Sequence, residues 1–238
     1  MPKVSVIMSV FNGIQFIERA VESILNQTEK DLELLIIDDG STEPIFEIIA
    51  PFMDLDNRIV VCKSPSNKGL TYQLNQCLEW AEGNFIVRMD GDDISLPTRI
   101  EKQIAAFEKG VGFVGCWGRS VDANGESIVH FVDTNCRCSN EDLKTVYPKT
   151  LCMIDASSIY SREAVEKIGY FDEQSLTAET YNYNRRIQQF FEGRVVQEIL
   201  YVRTVWSGSV MRKIDTSTDT VALANRRALE QPIIRKIA

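Results

Sequence analysis

The chain has 238 residues, and its 34 acidic and 26 basic side chains give a formal net charge of −8 at pH 7. This length favours one large domain or two small ones, and 44% hydrophobic residues is ordinary for a globular protein. The acidic balance argues against a general nucleic-acid binder, which needs a positively charged surface.

The single histidine, His130, excludes a two-histidine zinc site. Any bound metal must therefore be held mostly by oxygen atoms, which favours magnesium, manganese or calcium. The six cysteines form no CxxC pair, and we see no signal peptide and no apolar run of the roughly 18 residues that a membrane span needs. We therefore expect a reduced, cytoplasmic protein.

Apolar strands alternate with helices along the first part of the chain. Strands are predicted over 4–10, 32–37, 58–62 and 85–89, and helices over 14–26, 44–53, 70–81 and from Pro97 onward. This alternation predicts an α/β fold with a parallel sheet, whose binding sites form in the loops after the strands.

The second part of the chain has a less regular pattern. Strands are predicted over 111–116, 157–160 and 195–202, helices over 162–168 and from Tyr183 to near Gly193, a strand-joining turn at 122–125, and a loop over the site at 133–150. From about residue 220 onward, apolar and basic residues are mixed.

Three carboxylates stand close together in Asp90-Gly91-Asp92-Asp93, directly after a predicted strand. They repel one another unless cations are near, and a divalent cation bridging to a diphosphate would neutralise them. Gly91 would let a phosphate or sugar approach the backbone. The alternative is a solvated acidic turn, with Asp93 near a helix N-terminus.

A second acidic turn, Asp38-Asp39-Gly40-Ser41, ends another strand of the same predicted sheet. One of its aspartates could accept hydrogen bonds from a base or a ribose, while the alternative is a tight Asp-Gly turn. The two turns lie at equivalent ends of separate strands, and together they favour a binding site.

Five segments of the chain resemble motifs of glycosyltransferase family 2. They are residues 4–12, 23–28, 34–42, 67–70 and 88–99, and the resemblance is dense over 3–118 and weaker over 151–210. The resemblance implies the GT-A fold, with a mostly parallel, Rossmann-like central sheet flanked by helices. It also implies an inverting transfer from a nucleotide sugar, most simply a UDP-sugar, and Mn²⁺ or Mg²⁺ as cofactor. We expect a single domain with a nucleotide-sugar-binding half at 1–118, an acceptor half at 119–215 and a C-terminal helical segment at 216–238.

The resemblance also implies roles for individual residues. The nucleotide would lie against Ser9, Val10, Phe11, Asn12, Lys68 and Gly69, Asp39 would bind the uracil edge, and Asp90-Gly91-Asp92 would be the family's Asp-x-Asp motif. Asp92 is the more direct metal ligand in this interpretation, and Asp90 is the second. Asp93 would face the donor sugar or support the loop.

Two positions depart from the family pattern. Thr180 stands where the family has its catalytic aspartate, in Glu179-Thr180-Tyr181. Glu179 could serve as the base, another carboxylate such as Asp155 or Asp172 could serve, or the chain could be slow or inactive. Trp206 and Ala156 stand where many or some relatives have histidine; Trp206 could stack on a sugar or simply pack.

Three functions are compared. The first is a sugar transferase of surface polysaccharide assembly, acting on a glycan or lipid-linked acceptor. Its C-terminal segment would contact the inner face of a membrane or pack on the domain. The second is a nucleotide-sugar-binding homologue with little catalysis, acting as a partner subunit. The third, a sugar-phosphate nucleotidyltransferase, is disfavoured because the N-terminal loop is not rich in Gly, Arg and Lys.

Overall fold

A computed structural model describes residues 3–129, 139–145, 152–175, 178–209 and 227–234. Its strands are β1 (Val4–Val10), β2 (Leu32–Asp38), β3 (Ile59–Lys63), β4 (Phe85–Asp90), β5 (Ile94–Ser95), β6 (Val111–Val121), β7 (Ser127–Val129), β8 (Ile159–Ser161) and β9 (Glu192–Thr204). Its helices are α1 (Ile14–Leu25), α2 (Ile45–Leu55), α3 (Leu70–Trp80), α4 (Arg99–Ala105), α5 (Asn140–Thr145), α6 (Arg162–Ile168) and α7 (Glu179–Ile187), with a 3₁₀ turn at Asp155–Ser157.

The strands form one mixed sheet in the order β3-β2-β1-β4-β8-β6-β9-β5, with β7 paired to β6. The four strands from β3 to β4 are parallel, which confirms the predicted α/β architecture of the first half. β8 runs antiparallel to both β4 and β6, whereas β9 runs parallel to β6. The carboxyl ends of β4 and β9 therefore lie at the same edge of the sheet.

The sheet is buried between two layers of helices. Apolar residues of β1, including Val4, Val6 and Met8, pack with α1, α2 and α4 on one face. Ile7 and the apolar residues of α3, α6 and α7 form the core of the other face. Because both faces are covered, the central strands are almost continuously apolar.

Several predicted bounds change in the structure. Pro97 precedes the helix by two residues, since α4 begins at Arg99. The two-residue strand β5 was not predicted, and β6 and β9 extend beyond their predicted bounds because they pair along most of their length. Helix α7 begins at Glu179 and ends at Ile187, earlier than its apolar spacing indicated.

Two further expectations concern the second part of the chain. Within the predicted loop at 133–150, residues 140–145 form helix α5; the other residues, apart from Ser139, lie outside the described residues, as does His130. Cys152 is disulfide-bonded, so the expectation of a fully reduced chain is wrong at this residue.

Residues 227–234 of the predicted C-terminal segment pack on the domain. The backbone N–H of Ile234 donates to the Ile168 carbonyl at 2.9 Å, and the Arg227 guanidinium contacts the Asp172 carboxylate at 2.6 and 2.8 Å. This favours packing for that part of the segment. The rest of 216–238 lies outside the described residues, and its contact with a membrane stays a prediction.

Candidate active site

Three loops begin side by side at the carboxyl edge of the parallel strands. Val10 pairs in register with Asp38, and Ser9 pairs with Asp90. The Asp39 N–H donates to the Val10 carbonyl at 2.7 Å, which joins the first loop to the second. The structure thus brings together the loops to which the sequence assigned the nucleotide and the metal.

Asn12 connects the loop after β1 to the loop after β2. Its N–H donates to Ser41 Oγ at 2.8 Å, and its Oδ1 accepts from the Thr42 N–H at 3.0 Å. Asn12 has a left-handed backbone with φ 58°, a conformation that asparagine adopts more readily than most residues. The neighbouring Phe11 ring is 49% exposed and is available to a ligand at this edge.

Asp39 holds the loop in front of α3. Its carboxylate accepts from the backbone N–H of Lys68 at 2.7 Å and of Gly69 at 2.8 Å, and it accepts the Gln73 side-chain amide at 2.5 Å. Gly69 has φ 95°, which favours glycine, and Lys68 is exposed. Asp39 therefore has a structural role in shaping this loop, in addition to the base contact that the resemblance implies.

The carboxylates of Asp90, Asp92 and Asp93 form a compact cluster, with one oxygen of each within 4.8 Å of the others. Asp93 is 1% exposed, and its Oδ1 accepts the Thr204 N–H at 2.7 Å. The Asp90 N–H donates to the Tyr201 hydroxyl oxygen at 3.3 Å. Strand β9 thus fixes the position of the cluster, and Asp93 supports the loop.

The negative charges of the carboxylates in this cluster repel one another. Burial and the neighbouring charge of Asp90 raise the pKa of Asp92 to about 6. Burial and repulsion from Asp92 raise the pKa of Asp93 well above its ordinary value. Oxygen ligands without nitrogen or sulfur suit Mg²⁺ or Mn²⁺, and such an ion would remove the repulsion. The residues present therefore fit a divalent cation.

Arg88 connects the cluster to a fourth carboxylate. Its Nη1 lies 2.9 Å from Asp90 Oδ1, and its Nη2 lies 3.0 Å from Glu179 Oε1. The Arg88 residue is only 3% exposed, so these contacts form with little competition from water. One guanidinium thus places the predicted base beside the predicted metal ligands.

Gly91 lies where a side chain would crowd its neighbours in the fold. A Cβ built there would lie 3.2 Å from Val10 Cβ and Cγ2 and 3.5 Å from Ile17 Cδ1. The missing side chain thus also leaves room for β1 and α1, and the approach of a phosphate or sugar stays a prediction.

Glu179 and Thr180 form the start of α7. Glu179 is 7% exposed and Thr180 is 2% exposed. The Thr180 hydroxyl donates to Glu179 Oε1 at 3.2 Å, the same oxygen that Arg88 contacts. This hydrogen bond orients the adjacent glutamate. The Thr180 hydroxyl itself is no base near neutral pH.

Asp155 lies in the 3₁₀ turn before β8, close enough to Glu179 to be repelled by its negative charge. Its Oδ1 is buried and has no hydrogen-bond partner among the described residues. Burial, followed by repulsion from Glu179, raises the pKa of Asp155 to about 7. A carboxyl group that titrates near neutral pH suits proton transfer, so Asp155 is a second candidate base.

Replacing Asp155 with Asn is expected to stabilise the protein at pH 8. The folded-state pKa is above the ordinary 3.8, so the folded state loses stability as pH rises from about 4 to about 7. Removing this charge by Asp155→Asn should raise Tm by about 2–4 °C, the shift that ~1 kcal/mol produces at this chain length. Melting curves at pH 4.5 and 8 check this, and the gain should be smaller at pH 4.5.

The exposed Asp54 of α2 provides the control, since Asp54→Asn should leave both melting temperatures unchanged. An equal gain for Asp155→Asn at the two pH values would contradict the assignment of the effect to the buried charge.

Asp172, the other carboxylate considered as base, is engaged elsewhere. It accepts the Arg227 guanidinium and caps a turn by accepting the Gln174 N–H at 3.1 Å. The Arg227 contact lowers the pKa of Asp172, against the opposing effect of burial. It also lines a separate cavity of about 430 Å³ between α3 and residues 227–234. Asp172 is therefore a poor candidate for the base.

Trp206, in the position where many relatives have histidine, contacts the carboxylate cluster. Its indole Nε1 donates to Asp92 Oδ2 at 2.8 Å. Ala156, the other such position, is 7% exposed and packs in the core. Packing or sugar stacking is predicted for Trp206 from the sequence, and the hydrogen bond to Asp92 is an additional contact.

Arg88 and Tyr201 are further site residues, and neither is predicted from the sequence. Arg88 carries a sequence signal, because it is a charged residue inside the otherwise apolar strand Phe85–Met89. Tyr201 carries none, since a tyrosine in a strand is ordinary.

No described helix has the length and apolar character that crossing a membrane requires.

The chain matches the model of the family described as "Glycosyl transferase family 2" over residues 5–169. It is 30% identical over 168 residues to the O-antigen biosynthesis glycosyltransferase WbnJ of Escherichia coli, covering 69% of this chain and 63% of WbnJ. It is 43% identical over 109 residues to EpsE of Bacillus subtilis, which carries the name of a glycosyltransferase. That match covers 45% of this chain and 39% of EpsE.

Two solved structures share the fold. S. aureus TarS 1-349 in complex with UDP-GlcNAc superimposes with a TM-score of 0.72 at 20% identity, covering 93% of this chain and 64% of TarS 1-349. The mannosyltransferase PcManGT of Pyrobaculum calidifontis, in complex with GDP-Man and Mn²⁺, gives 0.68 at 16% identity, covering 97% and 63%. The chain thus spans about two thirds or less of each of these four proteins.

Proposed function

Because the chain belongs to glycosyltransferase family 2, we propose that it transfers a sugar, with inversion, from a nucleotide sugar to a glycan or lipid-linked acceptor. The observation that carries this proposal is the Asp90–Asp92–Asp93 cluster, joined through Arg88 to Glu179 at the sheet edge. The similarity to WbnJ, a glycosyltransferase of O-antigen biosynthesis, supports polysaccharide biosynthesis as the setting. The halves 1–118 and 119–215 are assigned to donor and acceptor, and the location is assigned to the cytoplasm.

The donor is proposed to be a UDP-sugar. TarS with UDP-GlcNAc supports this choice, while PcManGT with GDP-Man shows that the same fold accepts another nucleotide. The first loop, Ser9 to Asn12, and the loop at Lys68 and Gly69 are assigned to the nucleotide, together with Asp39. Asp92 and Asp90 would hold Mn²⁺ or Mg²⁺, which when bound neutralises the departing nucleoside diphosphate.

The chain's own residues supply the proton transfer. The acceptor oxygen forms a bond to the anomeric carbon, the bond from that carbon to the diphosphate breaks, and the acceptor's proton moves to a carboxylate. We assign this proton to Glu179 Oε2, because Arg88 and Thr180 occupy Oε1. Asp155 is the alternative acceptor of the proton, since its pKa of about 7 suits the task.

The donor is tested by melting the protein with UDP-, GDP- and dTDP-sugars, each with and without Mn²⁺. Stabilisation by a UDP-sugar that requires Mn²⁺ supports the proposal. Stabilisation by a GDP- or dTDP-sugar alone contradicts the choice of nucleotide. No stabilisation by any nucleotide sugar contradicts the proposed function.

The second candidate function is a nucleotide-sugar-binding partner subunit with little catalysis, and Thr180 favours it. In this case Thr180→Asp should raise hydrolysis of the UDP-sugar by about 100-fold, the lower range of a general base's contribution. Product release measured by chromatography, with Thr180→Asn as the uncharged control, checks this. Strong wild-type activity without a gain in Thr180→Asp excludes the second candidate.

A further inference from the structure

The Trp206 side chain fits a socket built beside the carboxylate cluster. A Cβ on Gly208 would lie 2.0–2.5 Å from three ring carbons of Trp206, and one on Gly13 would lie 3.4 Å from Cζ2. The Phe16 ring packs on the indole with centroids 5.1 Å apart and an interplanar angle of 59°. The two glycines and Phe16 thus leave space for an aromatic ring at this point.

The loop that carries Trp206 is itself held in place. The backbone N–H of Trp206 donates to Ser209 Oγ at 3.1 Å. The backbone N–H of Ser209 donates to the Trp206 carbonyl at 3.1 Å. The residue before it, Val205, donates its N–H to the Val121 carbonyl at 2.8 Å. The indole is therefore fixed by the turn, by the end of β9 and by its socket.

The loop that carries Asp92 is fixed from the same side. Arg19 Nη2 donates to the Asp92 carbonyl at 3.3 Å and to Thr204 Oγ1 at 2.6 Å. Its guanidinium lies 4.7 Å from the centre of the Phe16 ring that supports Trp206. Arg19 thus holds the backbone of Asp92, and Trp206 holds its carboxylate. Arg19 packs against the end of β9, and Trp206 follows it.

From this geometry we infer that Trp206 is a positioning residue for the metal ligand Asp92. The indole N–H donates a hydrogen bond to Asp92 Oδ2 and fixes the carboxylate. Asp92 Oδ1 is then left to bind the cation. This inference rests on the proposed function, in which Asp92 holds the ion. A hydrogen-bond partner that orients a ligating carboxylate contributes to metal affinity, and its loss typically costs about 10- to 100-fold.

Trp206→Phe tests the inference, because it keeps an aromatic ring in the socket and removes the N–H. With UDP present, free Mn²⁺ counted by electron paramagnetic resonance should show about tenfold weaker binding in this variant than in the wild type. The matched control is Trp80→Phe. Trp80 ends α3, which runs back to the opposite edge of the sheet, and this variant should bind Mn²⁺ like the wild type.

Tryptophan fluorescence provides a second readout, because it reports whether the ion binds beside the Trp206 indole, and it does not need the Phe variant to fold. Paramagnetic Mn²⁺ at Asp92 should quench the Trp206 emission of the wild type and of Trp80→Phe, whereas Mg²⁺ should quench it far less. In a folded Trp206→Phe protein this quenching should be much weaker, since only Trp80 and Trp117 remain to emit.

The outcomes separate the two proposals. Equal Mn²⁺ affinity in Trp206→Phe and wild type overturns the positioning role and leaves the proposed function intact. Mn²⁺ binding to the wild type without quenching places the ion away from the indole and also overturns the inference. No Mn²⁺ binding to the wild type contradicts the metal dependence of the proposed function itself.

Discussion

The Glu179→Gln variant is expected to turn over about 100- to 10,000-fold more slowly than the wild type, with little change in the KM for the donor. Glutamine keeps the size of the side chain and an oxygen for Arg88, but it cannot take the acceptor's proton. Initial rates over a range of donor concentrations, at saturating acceptor, measure both the turnover and the KM. Since Arg88 loses one of its two charged partners, some loss of thermal stability is also expected.

Glu166→Gln provides the control, because Glu166 is exposed on α6. Its rates should match the wild type. Near wild-type turnover in Glu179→Gln would contradict the assignment of the base. If Asp155→Asn then lost the activity instead, the proton would be assigned to Asp155.

The Asp92→Asn variant is expected to lose the thermal stabilisation that UDP and Mn²⁺ give together. At a ligand concentration of about 100 times Kd the wild type gains about 2.7 kcal/mol, which is about 5–10 °C at this chain length. The variant should gain almost nothing, because it lacks a charged ligand for the ion. Melting curves with UDP, Mn²⁺ and both together measure the difference.

The ligand-free Asp92→Asn variant should melt no lower than the wild type at pH 7.5. The pKa of Asp92 is raised to about 6, so its ionised form costs stability as pH rises, and the neutral amide avoids this cost. The amide oxygen can still accept the Trp206 N–H. Stabilisation of this variant by UDP and Mn²⁺ to the wild-type extent would contradict the metal site, and Asp54→Asn again serves as the control.

The sequence predicted the first half of the site because parallel strands follow a simple rule. Strand ends and helix spacing placed Asn12, Asp39 and Asp92 on loops at one edge of a sheet, and the structure has them there. These patterns depend on residues near one another in the chain, so they can be recognised without knowing which distant strands pair.

The part of the site that lies in the second half of the chain was harder to predict because the strand direction reverses. β8 runs antiparallel to β4, so its preceding turn, and not its following loop, reaches the carboxyl edge. This is how Asp155 comes close to Glu179, with the Arg88 N–H donating to the Ser158 carbonyl at 3.0 Å. Pairing across about 70 residues leaves no local signal in the sequence.

Packing decides the remaining roles. A side chain at Gly91 would crowd Val10 and one at Gly208 would clash with Trp206, and a single sequence does not show which residues will meet. The Trp206 indole reaches Asp92 over a separation of 114 residues. Such contacts arise only once the sheet is assembled.

Arg88 has a consequence for the order of events in the proposed reaction. One buried positive charge is divided between Asp90 after β4 and Glu179 at the start of α7. If Asp90 and Asp92 held a cation with the donor, the Asp90 charge would be compensated and Arg88 would pair mainly with Glu179. In the proposed reaction, loading the donor would therefore change the electrostatic surroundings of Glu179, and substitutions at Asp90 and Glu179 should have non-additive energies.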